Sequence, residues 1–364
     1  MTQALSPADR RDWLRLARTE NVGPVTFDQL IGRFGDPGRA LAALPDLARR
    51  GGRMASLGVP DPAVIDAELA AGEALGARLI CGCEADFPQG LAALDPPPPV
   101  LWAWGDVALL SKPAVAIVGA RVASAAGQRF ARGLAAELGQ SDLVVISGMA
   151  RGIDGAAHEG AISTGTVAVL GGGVNDIYPS DHADLHRRIV EGGCVVSENE
   201  PGRTAVARDF PRRNRIIAGL SRAVVVVEAE MRSGSLITAR LAAEQGRDVL
   251  AVPGSPLDPR AKGTNDLIRQ GAALCEGPED VLRVLEGFRD FREPDRRFEA
   301  LGDLPDPDDA LREKVAALLS PTPVSRDEIV RATNAPAPAV FAALMELSLA
   351  GRCEMLSGGM VARG

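Results

Sequence analysis

Several features that assign a chain quickly to a functional class are missing from this 364-residue sequence. No apolar run reaches the ~20 residues that a membrane-spanning helix needs, and residues 1–18 are polar and charged, unlike a secretory signal. The five cysteines are scattered, which argues against a disulfide framework and fits a reducing compartment. We therefore expect a cytoplasmic, globular protein that is not inserted in a membrane.

Metal and cofactor motifs are missing as well. Cys81-Gly82-Cys83 has the wrong spacing for a zinc pair, and no Cys-x-x-Cys occurs. His182 and His186 share a helix face but lack the glutamate of His-Glu-x-x-His. Neither Gly-x-Gly-x-x-Gly nor Gly-x-x-x-x-Gly-Lys-Ser/Thr is present, which disfavours NAD binding and P-loop hydrolysis of ATP. We expect no metal and no cofactor.

Catalytic side chains are also poorly arranged. Ser147, Asp154 and His158 make a Ser-His-Asp set conceivable, but no Gly-x-Ser-x-Gly elbow accompanies them. Asp154 and His158 are one helical turn apart, a spacing common in structural pairs, and Asp154 is expected to cap a helix N-terminus. The sequence favours a protein that catalyses no reaction.

Overall positive charge is absent too, because the formal net charge is −8. Locally the balance reverses: residues 202–222 contain six arginines and a single acid, Asp209. Local charge sets the local potential, so this basic segment can attract an anion that the rest of the surface repels.

Apolar patterning divides the chain into three regions and a linker. Residues 1–75 are typical of short helices. Residues 76–288 alternate short β-branched strands with helical stretches, the pattern of a doubly wound, mostly parallel α/β sheet. Residues 289–309 resemble a flexible linker, and 310–364 hold three helices and a hairpin, the order of a winged helix-turn-helix. The predicted strands are 114–118, 143–146, 167–170, 194–196, 223–227 and 249–252.

Two elements outside the sheet can each be interpreted in two ways, as a DNA-binding element or as a structural one. The turn at 21–24 is similar to that of a DNA-binding helix-hairpin-helix, but Asn21 stands where its first glycine would be, which favours a structural hairpin. The predicted recognition helix begins with Ala337, Pro338 and Val340, which cannot donate hydrogen bonds to base edges. We favour a packing or protein-contacting module over a duplex reader.

Glycines and arginines concentrate in the loops after the strands, where ligands bind in doubly wound sheets. Gly119 and Arg121 follow the strand at 114–118, and Arg121 is either a surface arginine or an anion ligand. The loop Ser147-Gly148-Met149-Ala150-Arg151-Gly152 combines glycines that can expose backbone N–H groups with an arginine before a helix. This loop predicts a phosphate cradle.

An aromatic ring and more arginines follow the fourth strand, in Phe210-Pro211-Arg212-Arg213-Asn214-Arg215. Proline is comfortable in the first turn of a helix, so the arginines are expected at a helix N-terminus. Arginines for phosphates together with an aromatic ring for a base are the usual chemistry of single-strand binding.

These motifs resemble those of the bacterial DNA-processing protein A (DprA, or Smf) family. Two positions depart from the family pattern: Glu200 replaces a frequent second proline, and His182 replaces a usual asparagine. The matching positions run in order through 87–88, 91, 99–101, 147–154, 178–179, 197–198, 210–215, 226–229, 233–239, 251–254, 263, 265, 267–268 and 271–272.

The resemblance implies an extended Rossmann domain that binds single-stranded DNA without hydrolysing nucleotides. It implies a homodimer formed through that domain, and loading of the RecA recombinase in natural transformation or recombination. It also implies a small N-terminal helical domain, of the SAM or helix-hairpin type, and a C-terminal winged helix. The expected DNA-binding residues are Gly119, Arg121, Ser147, Gly148, Arg151, Gly152, Phe210, Arg213, Asn214, Arg215, Ser233, Gly234, Lys262 and Asn265.

One alternative comes from another class, a Rossmann-type nucleotide phosphoribohydrolase. Such enzymes carry Pro-Gly-Gly-x-Gly-Thr-x-x-Glu, which is absent here; the corresponding region runs from Glu228 to Thr238. Release of free base from nucleoside monophosphates would favour the enzyme, and binding of an oligonucleotide without turnover would favour the DNA-binding protein.

Overall fold

The computed structural model describes residues 5–286 and 306–364. Most of the expected linker, 289–305, lies outside the described residues. Asp309, predicted as the last residue of the linker, begins a helix instead, with Asp308 accepting a hydrogen bond from the Leu311 N–H as its N-cap.

The helices are α1 (Pro7–Ala17), α2 (Pro24–Phe34), α3 (Pro37–Arg50), α4 (Pro62–Leu75), α5 (Gln89–Ala92), α6 (Ala125–Gln140), α7 (Ile153–Ala161), α8 (Ala183–Gly192), α9 (Asp209–Leu220), α10 (Gly234–Glu244), α11 (Lys262–Arg269), α12 (Pro278–Glu286), α13 (Asp309–Leu318), α14 (Arg326–Thr333) and α15 (Ala337–Leu349). The strands are β1 (Arg78–Cys81), β2 (Val100–Gly105), β3 (Ala114–Gly119), β4 (Val144–Ser147), β5 (Thr166–Val169), β6 (Cys194–Ser197), β7 (Ala223–Val227), β8 (Asp248–Ala251), β9 (Ala273–Leu274), β10 (Val324–Ser325), β11 (Cys353–Met355) and β12 (Met360–Arg363).

A nine-stranded sheet in the order β1-β2-β6-β5-β4-β3-β7-β8-β9 forms the centre of the described chain. The strands from β6 to β9 in this order are parallel, and β2 pairs antiparallel with both β1 and β6. Strand order reverses between β3 and β7, so their loops diverge and leave a crevice at the carboxyl edge. The predicted doubly wound α/β class is confirmed.

Helices cover both faces of the parallel strands. On β3, Val115 and Ile117 pack toward α6, α7 and α12, whereas Ala116 and Val118 pack toward α5, α9 and α10. Because both faces are buried, most neighbouring residues along these strands are apolar, which is why the strands appear in the sequence as continuous runs.

The N-terminal helices pack on the antiparallel edge of the sheet through Trp102 of β2. Its indole N–H donates to Glu68 of α4 at 2.9 Å. A Cβ added at Gly72 of α4 would lie 2.1 Å from the Trp102 ring, so only glycine lets the helix approach this closely. Trp13 of α1 donates to the Pro99 carbonyl at 2.7 Å. The core of α1–α4 is therefore continuous with the sheet.

The predicted winged helix is present, built from α13–α15 and the antiparallel strands β10–β12. Its α15 packs against α2 and α3, and Met345 and Leu349 of α15 are buried in the N-terminal core. A Cβ added at Gly51 would lie 2.0 Å from the Glu346 carbonyl oxygen. Asn21, in the hairpin turn, donates to the Leu349 carbonyl at 3.3 Å. The hairpin turn and the recognition helix thus contact each other.

Two details differ from the sequence prediction. The strands β1, β2 and β9 were not predicted, and they extend the sheet beyond the six expected strands. The short run Pro45-Asp46-Leu47-Ala48, which from sequence alone is typical of a separate short helix, instead belongs to α3: Pro45 lies inside this helix, where the backbone continues without its N–H hydrogen bond. No helix of the described residues is long and apolar enough to cross a membrane.

Candidate nucleic-acid interface

Three loops meet at the carboxyl ends of β3, β4 and β5. The loop after β4 turns at Gly152, whose φ of +77° is a left-handed conformation that favours glycine. A Cβ added there would lie 2.3 Å from the Ala120 carbonyl oxygen and 2.8 Å from that of Arg121. This loop therefore packs directly on the loop after β3, and the contact brings Arg121 and Arg151 to the same edge of the sheet.

A cation and two aromatic rings form a cluster at this edge. Arg121 is exposed, and its guanidinium carbon lies 5.5 Å from the centroid of the Phe210 ring. The Tyr178 ring, in the loop after β5, lies 5.5 Å from the Phe210 ring at an interplanar angle of 47°. Within the described chain, Arg121 has no ion-pair partner. A cation–π contact leaves its N–H groups able to bind phosphate.

The second exposed cation of the edge is Arg151, which pairs with Asp181 at 2.9 Å. Both side chains are more than half exposed, 57% and 69%. Exposed pairs contribute only about 0–1 kcal/mol, so a phosphate can replace Asp181 as the partner of Arg151 at little cost.

The predicted phosphate cradle after β4 is already occupied by a carboxylate of the chain itself. Asp154 accepts hydrogen bonds from the backbone N–H groups of Gly148 at 3.1 Å and Ala150 at 3.4 Å, and from that of Gly119. Burial raises the pKa of Asp154, and Arg213 and these N–H groups oppose the rise. Asp154 lies in the first turn of α7 but bonds loop N–H groups, so the helix cap expected from it is not formed, and the prediction that Gly148 offers a free N–H was wrong.

A second carboxylate occupies the crevice between β3 and β7. Glu228 accepts a hydrogen bond from the Ser124 N–H at 2.8 Å, at the N-terminus of α6, and a Cβ added at Gly127 would lie 2.7 Å from its carboxyl carbon. At Gly119 a Cβ would lie 1.9 Å from the Val227 carbonyl oxygen, so this glycine serves strand packing. Dinucleotide-binding proteins place phosphate at this helix N-terminus, where Glu228 would repel it.

Arg213 requires a correction, because it was expected to bind phosphate. It is 8% exposed, and its Nη1 donates to the carbonyls of Gly148, at 2.6 Å, and Val169. Burial lowers the pKa of Arg213 to about 10, against the opposing effect of Asp154. Since the side chain is buried and its Nη1 bonds two carbonyls of the protein, Arg213 joins the loops after β4 and β5 and is not an exposed phosphate ligand.

The predictions that Ser147 and Asn214 bind DNA also require correction. The Ser147 hydroxyl is fully buried and donates to the Ile117 carbonyl at 2.6 Å. Asn214 is 8% exposed and its amide donates to the Gly234 carbonyl at 3.3 Å, which ties α9 to the start of α10. Neither side chain is available to DNA in this conformation.

The basic segment at 202–222 divides between two edges of the sheet. Arg215 pairs with Glu198, and Arg203 pairs with Asp209 at 3.0 Å, so both charges are largely compensated. Arg222 precedes β7 and lies at the amino edge, away from Arg121. The expected stripe is therefore not a continuous surface.

The remaining predicted residues lie after β7 and β8, on the other side of the crevice. Ser233 caps α10, and Gly234 is exposed beside it. Lys262 is exposed at the first residue of α11. Asn265 bonds the backbone of Gly254, at 3.1 Å and 2.9 Å, and so holds the loop after β8. Gly234 and Lys262 remain candidates for contact with a longer ligand.

The conceivable catalytic set is not assembled. Ser147 bonds β3, and Asp154 bonds backbone N–H groups. His158 lies 2.7 Å from the Thr166 hydroxyl, which itself donates to the Val145 carbonyl at 2.8 Å. Thr166 therefore accepts from His158 Nδ1–H, which leaves Nε2 as the unprotonated nitrogen. The three residues form separate structural contacts.

The candidate metal residues also have structural partners. His182 bonds the Met149 carbonyl at 3.0 Å, and His186 bonds the Val174 carbonyl at 2.8 Å. All five cysteines are buried, and none forms a disulfide. The described residues contain no group of three His, Cys, Asp or Glu side chains that could hold a metal ion.

A large cleft of the described chain lies elsewhere. It has a volume of about 1510 Å³ and separates α9 and α10 from the N-terminal helices and the winged helix. Its lining includes Arg208 and Arg212 but neither Arg121 nor Phe210. The Arg121 cluster is thus an open surface, which suits a polymer that extends past it.

Comparison of the sequence with known protein families identifies the family of this chain. Residues 78–286, more than half of the chain, match the family model described as DNA recombination-mediator protein A. The chain belongs to this family. Residues 7–71 match the DprA-like N-terminal HHH domain of the family, and residues 299–359 match the DprA winged helix domain. The resemblance inferred from the motifs is confirmed, and the protein is a member of a DNA-processing family.

Relatives in this family resemble the chain over most of its length. Protein Smf of Escherichia coli is 39% identical over 76% of this chain and 74% of its own. A putative DNA processing protein DprA of Mycobacterium tuberculosis is 34% identical over 98% of this chain and 88% of its own.

Two solved DprA structures share the fold. The structure from Streptococcus pneumoniae has a TM-score of 0.64 and 34% identity, and covers 77% of this chain and 98% of its own. The structure from Helicobacter pylori, described as showing a single-stranded DNA binding mode, has a TM-score of 0.53 and 28% identity, over 58% of this chain and 96% of its own.

Tyr178 lies at this edge but was not among the site residues predicted from the sequence. It entered the sequence analysis only through the family motif at 178–179. A signal was available, since Tyr178 is the only tyrosine of the chain and follows a predicted strand in a doubly wound sheet.

Proposed function

We propose that this protein binds single-stranded DNA at the carboxyl edge of its sheet and hydrolyses no nucleotide. The observation that carries the proposal is the exposed Arg121 guanidinium lying over the Phe210 ring, beside the Tyr178 ring and Arg151. Cations for phosphates next to aromatic rings for bases are what a single strand requires. The single-stranded DNA binding mode described for the Helicobacter pylori relative supports the same ligand.

The contact set differs from that predicted from sequence. Arg121, Arg151 and Phe210 retain their proposed roles, with Gly152 as the residue that allows their loops to approach. Gly234 and Lys262 across the crevice extend the proposed surface. Asp154 and Glu228 occupy the helix N-termini where a nucleotide phosphate would bind, which supports the absence of nucleotide hydrolysis.

Membership of the recombination-mediator family supports the finer parts of the proposal. We propose that the DNA-bound protein loads a RecA recombinase in the cytoplasm, during natural transformation or general recombination. We also propose that two copies associate through the Rossmann domain. Co-sedimentation of recombinase with DNA-bound protein, and the molar mass of the protein in solution, test these two parts separately.

The experiment that tests the proposed site is a double substitution, Arg121→Ala with Arg151→Ala. Each lost charge-assisted contact is worth about 1.5–3 kcal/mol, so we expect single-strand affinity to fall at least about tenfold. The slope of log affinity against log salt should decrease by about 0.7 for each lost phosphate contact. Fluorescence anisotropy with a labelled oligonucleotide measures both quantities.

The matched control removes the same charge elsewhere, by Arg222→Ala with Arg331→Ala. Arg222 lies at the amino edge of the sheet and Arg331 in α14, and both are exposed. The control should bind like the wild type. Equal affinities of the Arg121 and Arg222 double variants across a range of salt would show that the site is misplaced.

A further inference from the structure

The two aromatic rings of the cluster differ in how much of each ring is free. Phe210 is partly buried: the Arg121 guanidinium lies over it, and a Cβ added at Gly171 would lie 3.4 Å from its Cδ1 atom. The ring therefore has Gly171 close to it as well as Arg121. Tyr178, in contrast, is 53% exposed.

Hydrogen bonds to the loop after β5 fix the position of Tyr178. The Asn199 amide donates to the Gly171 carbonyl at 2.6 Å, and the Gly173 N–H donates to the Arg203 carbonyl at 2.8 Å. The Gly202 N–H donates to the Asn175 side chain at 2.6 Å. An exposed aromatic ring on a loop held this way is preorganised, so a ligand that stacks on it orders little further.

We propose that Tyr178 is a base-stacking residue of the single-strand site and that Phe210 acts mainly as the support that positions Arg121 and Tyr178. The proposal rests on the proposed function, because it assumes that single-stranded DNA is the ligand. Every base presents a π-face, so a ring exposed beside phosphate-binding arginines stacks a base without selecting its sequence. The tyrosine hydroxyl is not needed for such stacking.

The first test combines protein variants with a modified ligand. Tyr178→Leu removes the aromatic ring at an exposed position, and Tyr178→Phe is the control that keeps the ring. Each protein is titrated with a thymidine oligonucleotide and with an abasic oligonucleotide of the same length. Stacking is worth about 1–3 kcal/mol per base, so Tyr178→Leu should lose about 5- to 100-fold in affinity for the thymidine strand.

The abasic ligand separates stacking from a change in the loop. With no base to stack, Tyr178→Leu should bind it like the wild type, and Tyr178→Phe should match the wild type with both ligands. Phe210→Leu should weaken binding of both ligands, because Arg121 loses the ring over which it lies. Equal losses with both ligands in Tyr178→Leu would overturn the stacking role.

A second measurement uses the fact that the chain has a single tyrosine. Incorporation of 3-fluorotyrosine gives one ¹⁹F resonance, which reports on Tyr178 alone. We expect it to shift on addition of the thymidine strand and to stay unchanged with the abasic strand.

The two proposals fail in different ways. If the wild type binds no single-stranded DNA, the proposed function fails. If the wild type binds tightly but Tyr178→Leu binds equally well and the ¹⁹F signal does not move, the function stands and the role of Tyr178 is refuted.

Discussion

Arg121 and Arg213 differ in what surrounds their guanidinium groups. Arg121 is exposed over an aromatic ring, whereas Arg213 is buried between two backbone carbonyls and faces Asp154. The sequence does not distinguish the two arginines, because each has polar neighbours and lies in a loop or near the N-terminus of a helix. Burial decides between them, and burial depends on how the loops after β4 and β5 approach α9.

The buried position of Arg213 leads to a stability prediction. Arg213→Ala leaves the buried carbonyls of Gly148 and Val169 without their donor and removes a positive charge that favours ionised Asp154, so we expect a loss of stability of about 1–3 kcal/mol. Arg208→Ala, at an exposed position just before α9, should change stability by no more than about 0.5 kcal/mol. Urea unfolding of both variants measures the difference. Unchanged stability of Arg213→Ala would show that its internal hydrogen bonds contribute little.

His158 predicts a dependence of stability on pH. Burial, and then the positive charges of His182 and Arg213, lower the pKa of His158 from 6.5 to about 3. A lowered pKa gives stability that is present above pH 6.5 and lost as the pH falls toward 3, because only the unfolded chain takes up the proton. At pH 5 the loss from this residue is about 2 kcal/mol relative to pH 7.5.

The variant His158→Asn keeps an amide donor for Thr166 and removes the titration. It should be less stable than the wild type at pH 7.5 but lose about 2 kcal/mol less between pH 7.5 and pH 5. Thermal unfolding at the two pH values provides the comparison. Parallel losses in the two proteins would assign the acid sensitivity to other groups.

At the scale of elements, the sequence predicted what depends on local pattern and missed what depends on distant partners. Six of the seven parallel strands were found because burial on both faces makes each a continuous apolar run, as in Ala223–Val227. The strand β2 was missed because its pairing with β6 joins residues far apart in the chain. The carboxylate at the N-terminus of α6 was missed for the same reason, since Glu228 reaches Ser124 from a distant loop.

At the same scale, the docking of α15 on the N-terminal helices can be tested by a substitution that adds a single methyl group. A Cβ at Gly51 would lie 2.0 Å from the Glu346 carbonyl oxygen, so Gly51→Ala should push α15 away from α3. Amide hydrogen exchange should then increase in α2, α3 and α15. The control Gly133→Ala has open space around its new methyl group and should leave exchange unchanged.

Release of α15 also tests whether it reads duplex DNA. Its first turn carries Ala337, Pro338 and Val340, which offer no donors for base edges. The affinity of Gly51→Ala for duplex DNA should therefore stay within about twofold of that of the wild type, since only contacts to the DNA phosphate backbone determine this affinity. A large gain in sequence-specific duplex binding would mean that docking hides a recognition surface.

At the scale of the whole molecule, net charge and local charge act in opposite directions. The chain carries −8 overall, yet its proposed site presents Arg121 and Arg151 beside aromatic rings. An acidic body repels a rigid duplex of high charge density, whereas a flexible single strand can reach a small basic site. Bases in a duplex are already stacked and cannot use the rings.

The most direct test of this account is a salt titration of the full-length protein with single- and double-stranded oligonucleotides of matched length, with and without ATP. We predict tighter binding of the single strand at every salt concentration, a linear fall of log affinity with log salt, and no effect of ATP. Equal affinity for duplex and single strand at physiological salt, or binding that requires ATP, would contradict it.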